Sequence, residues 1–368
     1  VLCAATIALS SPALVRAQGE SSSARNRHEQ APKPLTKEER QRFLLRAQVW
    51  TPVDVSKQDM TRGPQGPGAF KPNESITCEY DEVKLSGASP KFECVTEAGD
   101  RLKVRYGGTN GEVQGAVLGS RLLWALGFSA DRVYPVRVTC DGCPADPQTN
   151  PKKVKDRREF DLAVVERKPD GYEMKLGKDT AGWGWNELAL VNEASGGASR
   201  AHIEALTLLA IFIQHSDSKP EQQRMVCLPN AVDANGLCTK PFLSVHDVGL
   251  TFGHANLSNE QARTSVNFEE WAKTPVWRDV DKCIGHMSQS FSGTLADPAI
   301  HEAGRAFLAD LLTQVTDNQL RELFEVARVE RRSRRPDDPK VTVSADVDEW
   351  IAAFKQKRNQ IVTVQCPQ

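Results

Sequence analysis

The side chains best suited to chemistry lie in residues 215–223, HSDSKPEQQ. Asp217 offers a carboxylate, Lys219 a cation and Gln222 an amide, and a second carboxylate, Asp247, follows in VHDVG. Phosphoryl transfer uses such a set. One carboxylate orients or deprotonates the acceptor hydroxyl, a cation neutralises the moving phosphate, and an oxygen-bearing side chain and a second carboxylate hold magnesium. Mg²⁺ takes hard oxygen ligands, usually one or two of them carboxylates, and leaves the rest to phosphates and water. The plainer alternative for Asp217 is a loop carboxylate that caps the next turn. His215 and His246 precede the two Asp residues and read as buried hydrogen-bonding scaffold, so neither is assigned chemistry.

The elements that must position these residues follow from hydrophobic periodicity. Residues 36–48 start with a Thr cap and two Glu, and read as a short amphipathic helix. Residues 63–72 are rich in Gly and Pro and read as a linker. Short alternating runs at 82–85, 91–95 and 102–106, separated by SGASP (86–90) and EAGD (97–100), predict three consecutive antiparallel strands. A buried helix is expected over 111–128, closed by Gly127. Strands are expected at 133–138, 160–166 and 242–246. Residues 201–214 are apolar on most faces and read as a core helix. Further helices are expected at 260–263, 301–313, 318–329 and 347–360. A β-rich half with one helix, then a helical half, makes a two-lobed α+β domain.

The chain has 368 residues, 47 Lys and Arg against 48 Asp and Glu, a net charge of −1, and nine cysteines. A charge so near zero argues against nucleic-acid or anionic-membrane binding, and the basic run 328–335 reads as a solvated helix end. No apolar run reaches about 18 residues, so no transmembrane helix is expected in the mature chain. Residues 1–18 resemble the apolar region and small-residue cleavage site of a secretory signal, without its basic leader. Residues 19–75 read as a linker carrying one short helix, with 19–34 Ser-, Arg- and Gln-rich. Loss of the signal removes Cys3 and leaves eight cysteines, an even number that suggests disulfides in an exported protein, periplasmic or extracellular. Eight cysteines allow about a hundred pairings. Neighbour pairing gives Cys78–Cys94, Cys140–Cys143, Cys227–Cys238 and Cys283–Cys366. The CDGC at 140–143 could instead be half a zinc site or a redox pair. No second CxxC exists, and Pro144 with a polar loop follows, so a local disulfide is the better reading.

Taken together, HSDSKPEQ resembles the protein-kinase catalytic loop H-R-D-x-K-x-x-N, and HDVG resembles D-F-G. LSGASPKF (85–92) is similar to the short phosphate-binding loops of HipA-like and phosphatidylinositol-kinase-like kinases, where a turn ending in Pro-Lys joins the first two strands. NGEVQGAVLGSRLLWALGF (110–128) is similar to the HipA segment in which Asn-Glu opens a helix ending in Leu-Gly. The resemblance spans roughly 82–249. It implies a bilobal protein-kinase-like fold, with an antiparallel β-rich N-lobe over 76–170 and an α-helical C-lobe over 171–368. It also implies ATP and Mg²⁺. Asp217 matches the catalytic carboxylate, with Lys219 beside it, and Asp247 the metal-binding Asp. Lys103 matches the lysine on the nucleotide phosphates and Glu112 the helix glutamate that pairs with it. Ser86, Gly87, Ser89 and Lys91 fall in the phosphate loop. Gln222 stands where the family has a metal-binding Asn, so the second metal ligand departs from the pattern. For Lys103 the alternative is a solvated basic edge shared with Arg101 and Arg105, which lie on the same alternating face. For Glu112 it is a favourable charge at a helix amino terminus.

Two other functions compete with an exported kinase whose acceptor is a protein, lipid or small molecule. One is a pseudokinase that binds nucleotide without turnover, consistent with Gln222 and with the scarcity of ATP outside the cytoplasm. The other is a cysteine-stapled interaction module in which the motifs are coincidence. GWGWNEL (182–188) reads as core rather than as a ligand-covering surface.

Overall fold

The computed structural model describes residues 34–368, apart from 86, 88, 178–181, 235–236, 254–265, 288–292 and 332–345. The expected signal, the first part of the linker and the helix at 260–263 therefore lie outside the described residues. Five strands close into a barrel: β1 (Glu74–Asp81), β2 (Lys91–Thr96), β3 (Arg101–Tyr106), β5 (Arg132–Asp141) and β6 (Arg157–Arg167), in the order β1-β2-β3-β6-β5. Consecutive pairs are antiparallel, and a parallel β1–β5 pair completes the ring. Alternate residues fill the interior, among them Ile76, Tyr80, Phe92, Leu102, Val104, Val136 and Val165. The nearly unbroken apolar run in β6 has a physical cause. Ala163 and Val165 face the barrel interior, while Val164 packs into a second core with the helix below. A strand covered on both faces has no solvent face to mark with polar residues.

That helix is α2 (Glu112–Ala125), and it is buried on almost every side. Gly115 and Gly119 lie one turn apart on the face that meets residues 247–251. A Cβ on Gly115 would stand 2.3 Å from the Gly249 carbonyl oxygen, and one on Gly119 3.0 Å from the Val248 side chain. Glycine therefore lets the helix backbone touch this segment, and the Thr251 hydroxyl donates to the Gly115 carbonyl at 3.2 Å. Gly127, at φ +86°, ends the helix in the left-handed region as expected.

The second half is helical but also contains sheet. The strands β4 (Ser129–Ala130), β7 (Tyr172–Glu173), β8 (Gln223–Cys227) and β9 (Pro241–Val245) form one sheet in the order β4-β9-β8-β7. Around it stand α1 (Lys37–Leu45), α3 (Arg200–Phe212), α4 (Phe268–Lys273), α5 (Glu302–Thr313), α6 (Asp317–Val326) and α7 (Val347–Val362), with a small hairpin of β10 (Trp277–Asp279) and β11 (Ile284–Gly285). Ser199 caps α3 by accepting from the His202 amide, and the α3 interior is apolar enough to bury nine of its residues. Trp183 and Trp185 are core residues, at 2% and 5% exposure.

Two expectations are corrected. The first strand runs over Glu74–Asp81, and residues 82–85 lie outside any strand. The alternation at 82–85 was outweighed by ITCEY, whose Ile76, Cys78 and Tyr80 point into the barrel. Residues 34–73 are not a linker. Leu44, Ala47, Val49, Val55 and Met60 are buried at 2% exposure or less, and the Pro64 carbonyl accepts a hydrogen bond from the Tyr134 hydroxyl. Gly and Pro there serve close packing: a Cβ on Gly63 would fall on the Arg121 guanidinium. The four disulfides are the neighbour pairs, with Cα separations of 5.6–5.7 Å.

Candidate functional site

Asp217 and Asp247 come together because β8 and β9 form an antiparallel hairpin. Gln223 is registered with Val245, so the residues just before β8 face those just after β9. The Cys227–Cys238 disulfide closes the far end of this hairpin. At the near end the His246 amide donates to the Gln222 carbonyl at 2.7 Å. Gln214, at φ +53°, ends α3, and from there the Ser216 amide reaches the Leu250 carbonyl and the Phe252 amide the Ile213 carbonyl. The two loops are thus tied to one another by backbone. Asp247 sits at φ +51°, a region that Asp tolerates better than bulkier residues.

The side chains meet in one cluster. The Gln222 Nε2 donates to Asp217 Oδ2 at 3.0 Å and lies 3.4 Å from Asp247 Oδ2. Lys219 Nζ stands 3.2 Å from Asp217 Oδ2. Asp217 Oδ1 is buried and has no hydrogen-bond partner among the described residues. Asp247 Oδ1 is held at 2.7 Å by Arg105 Nη2 from the barrel.

Arg105 is the residue that motif reading missed. Arg101, Lys103 and Arg105 do share the outer face of β3, but their surroundings change along it. Arg101 is exposed and pairs with Asp81 and Glu93. Lys103 pairs with Glu166 at 2.9 Å. Arg105 is fully buried and bridges Glu112 at 3.1 Å, Glu166 at 2.9 Å and Asp247. The expected Lys103–Glu112 pair is therefore corrected to Arg105–Glu112. Lys103 is registered opposite Glu93 and lies one step further from α2 along the strand. Strand alternation places residues on a face but does not say where along that face solvent ends. Burial alone would lift the Asp247 carboxyl. Arg105, with Lys103 and His246, more than offsets this and holds it well below the usual carboxylate range. Burial raises Glu112 despite Arg105. The three carboxylates raise the Arg105 guanidinium against its own desolvation.

The loop before β2 covers this cluster. Lys91, registered with Arg105, is nearly buried, and a Cβ on Gly87 would lie 2.7 Å from its Nζ. Lys91 makes no hydrogen bond or ion pair with another described residue. Burial and then the neighbouring Arg105 lower its pKa. Gly87 is at φ +90°, and Ser89 is buried beside Glu112. Asn110 donates to the Pro90 and Tyr106 carbonyls and accepts from the Glu112 amide, which fastens the loop to the start of α2. Ser86 lies outside the described residues.

His246 fits its hydrogen-bonding scaffold reading, whereas His215 fits only the burial part of it: neither of its ring nitrogens has a hydrogen-bond partner among the described residues. His215 is fully buried, and burial takes it down to about 4. His246 Nδ1 pairs with Asp131. The donors around Asp247 do not fit the magnesium that the resemblance implies. One Asp247 oxygen is taken by Arg105, the other faces the Gln222 amide nitrogen, and that nitrogen is no metal ligand. Gln222 as a metal-holding residue is corrected accordingly: its extra methylene carries the amide between the two carboxylates, where only its N–H₂ can satisfy both. A separate cavity of about 300 Å³ lies behind the loop, lined by Glu173, Trp183, Glu221 and Arg224.

No protein-family description matches the chain, and no curated protein matches its sequence. Among solved structures it is similar to the crystal structure of a Helicobacter pylori proinflammatory kinase, CtkA. The identity is 9%, the TM-score is 0.39, and the match covers 79% of this chain and 97% of that one.

Proposed function

We propose that this chain is a kinase-like phosphotransferase that takes ATP as phosphoryl donor. One observation carries the reading: the Gln222 amide reaches both Asp217 and Asp247, so two carboxylates from separate segments share one site beneath a cationic loop. On this reading the barrel with α2 is the smaller lobe and residues 171–368 the larger. The triphosphate lies between the two, under Gly87 and residues 89–91. Lys91 contacts its phosphates, with Lys219 at the phosphate that moves. Asp217 uses Oδ1, which has no partner among the described residues, to orient the acceptor hydroxyl and take up its proton. Catalysis is then largely positioning and charge neutralisation. No step is assigned to a metal ion. Four disulfides fit an oxidising compartment, so we place the protein in the periplasm or outside the cell. Among the described residues no helix is long and apolar enough to cross a membrane.

The test is transfer of radiolabelled γ-phosphate by the oxidised protein, to itself or to a mixed protein, lipid and small-molecule acceptor pool. Asp217→Asn is expected to cut transfer by at least about a hundredfold without unfolding the protein. Equal transfer by wild type and Asp217→Asn would overturn the assignment. A second reading, nucleotide binding without turnover, is favoured by the engagement of Asp247 with Arg105. It predicts a thermal shift with ATP and no transfer by the wild type.

A further inference from the structure

The cluster balances its own charge. Lys91, Lys103, Arg105 and Lys219 face Glu112, Glu166, Asp217 and Asp247, four cations against four carboxylates. At its centre is a guanidinium with no exposed surface, and arginine stays protonated throughout the accessible pH range. Where a divalent cation would neutralise Asp247, Arg105 Nη2 already stands 2.7 Å from Oδ1. It has little room to withdraw. Glu112 and Glu166 hold it from two further sides, its backbone is fixed within the barrel, and a Cβ on Gly249 would lie 2.6 Å from Nη1. Removing Asp247 to a metal would leave a buried charge network short of one partner, and buried charge left without its partner is strongly destabilising. Lys91, by contrast, has no hydrogen-bond or ion-pair partner among the described residues, and Lys219 is about one-third exposed.

We propose that Arg105 is a built-in counter-ion for Asp247, so that this cleft binds a nucleoside triphosphate without a divalent cation. This rests on the nucleotide-binding reading above and deepens it. The phosphates are met by Lys91 and Lys219 as the free tetraanion. Asp247 serves as an anchor that keeps Arg105, and through it Glu112 and the loop, in register.

The experiment is calorimetric titration of the oxidised full chain with ATP, once in excess EDTA and once in excess Mg²⁺. The expected result is the same affinity within about threefold in both. Binding that appears only with Mg²⁺, or strengthens more than about tenfold with it, would overturn the inference and leave the nucleotide reading intact. Absence of binding in both buffers would overturn the nucleotide reading itself, and the inference with it. Arg105→Lys adds a second arm. It keeps the charge but loses the fork that spans three carboxylates, and its ATP affinity is expected to become Mg²⁺-dependent. An Arg105→Lys protein that folds and still binds ATP equally in both buffers would count against the role given to the guanidinium.

Discussion

Lys91 and Lys103 separate the two ways a lysine can stand near a phosphate site. Lys103 already has Glu166 at 2.9 Å, whereas Lys91 is nearly buried and has no such partner among the described residues. Lys91→Met is therefore expected to lower ATP affinity about tenfold with the fold intact, and Lys103→Met to lower it less. Titration of both variants checks this, and a larger loss at Lys103 would reverse the assignment. At this scale the sequence was informative wherever residue type and spacing together are rare. Asp217, Lys219, Gln222 and Asp247 were legible because few reasons exist to place them so, and they do converge. Arg105 was not, because a basic residue on an alternating strand reads the same whether its end of the face meets water or three carboxylates. Gln222 was read by its oxygen, whereas its nitrogen is what two adjacent carboxylates select.

Elements were legible where periodicity is strong. The α2, α3, α5 and α7 helices lie within a few residues of their expected spans, and the strands of the barrel near theirs apart from β1. The sheet that carries the site was only half seen. Gln223–Cys227 is a continuous strand next to the loop at 214–222, too short and too mixed to show alternation. The contact that couples α2 to the Asp247 segment depends on missing side chains, which periodicity cannot register. Gly115→Ala would drive a methyl to 2.3 Å from the Gly249 carbonyl oxygen. It is expected to destabilise the protein by about 2 kcal/mol or more, by the overpacking that rigid backbone cannot relieve. Gly177→Ala is the control, since no described residue lies within 4 Å of its added Cβ, and a change within about 0.5 kcal/mol is expected. Urea unfolding of the two variants measures the contrast. Equal stability for both would show that α2 moves freely against the loop.

On the scale of the whole molecule, cysteine arithmetic carried furthest, since neighbour pairing gave all four bridges. The stretch before the barrel was misread, because a Gly- and Pro-rich composition describes a tightly packed irregular segment as well as a linker. The carboxy-terminal region contributes a pH dependence. Lys357 in α7 is fully buried, bonded to the Thr274 carbonyl and 5.4 Å from the Trp271 ring, and burial lowers it from 10.5 to about 7. Between those values the unfolded chain binds the extra proton. Its contribution therefore makes stability fall as pH drops from the upper value to about 7, and then level off. Lys357→Met is expected to flatten that slope and to raise stability at neutral pH by about 1–3 kcal/mol. Unfolding curves across this range check it, and an unchanged slope would show that Lys357 finds solvent. The central claim is that one cleft between barrel and helices holds a triphosphate. A crystal structure with a non-hydrolysable ATP analogue tests it most directly. The triphosphate is expected between Gly87 with residues 89–91 on one side and Asp217–Lys219 on the other. An analogue bound instead in the cavity beside Trp183, or none bound at saturating concentration, would contradict it.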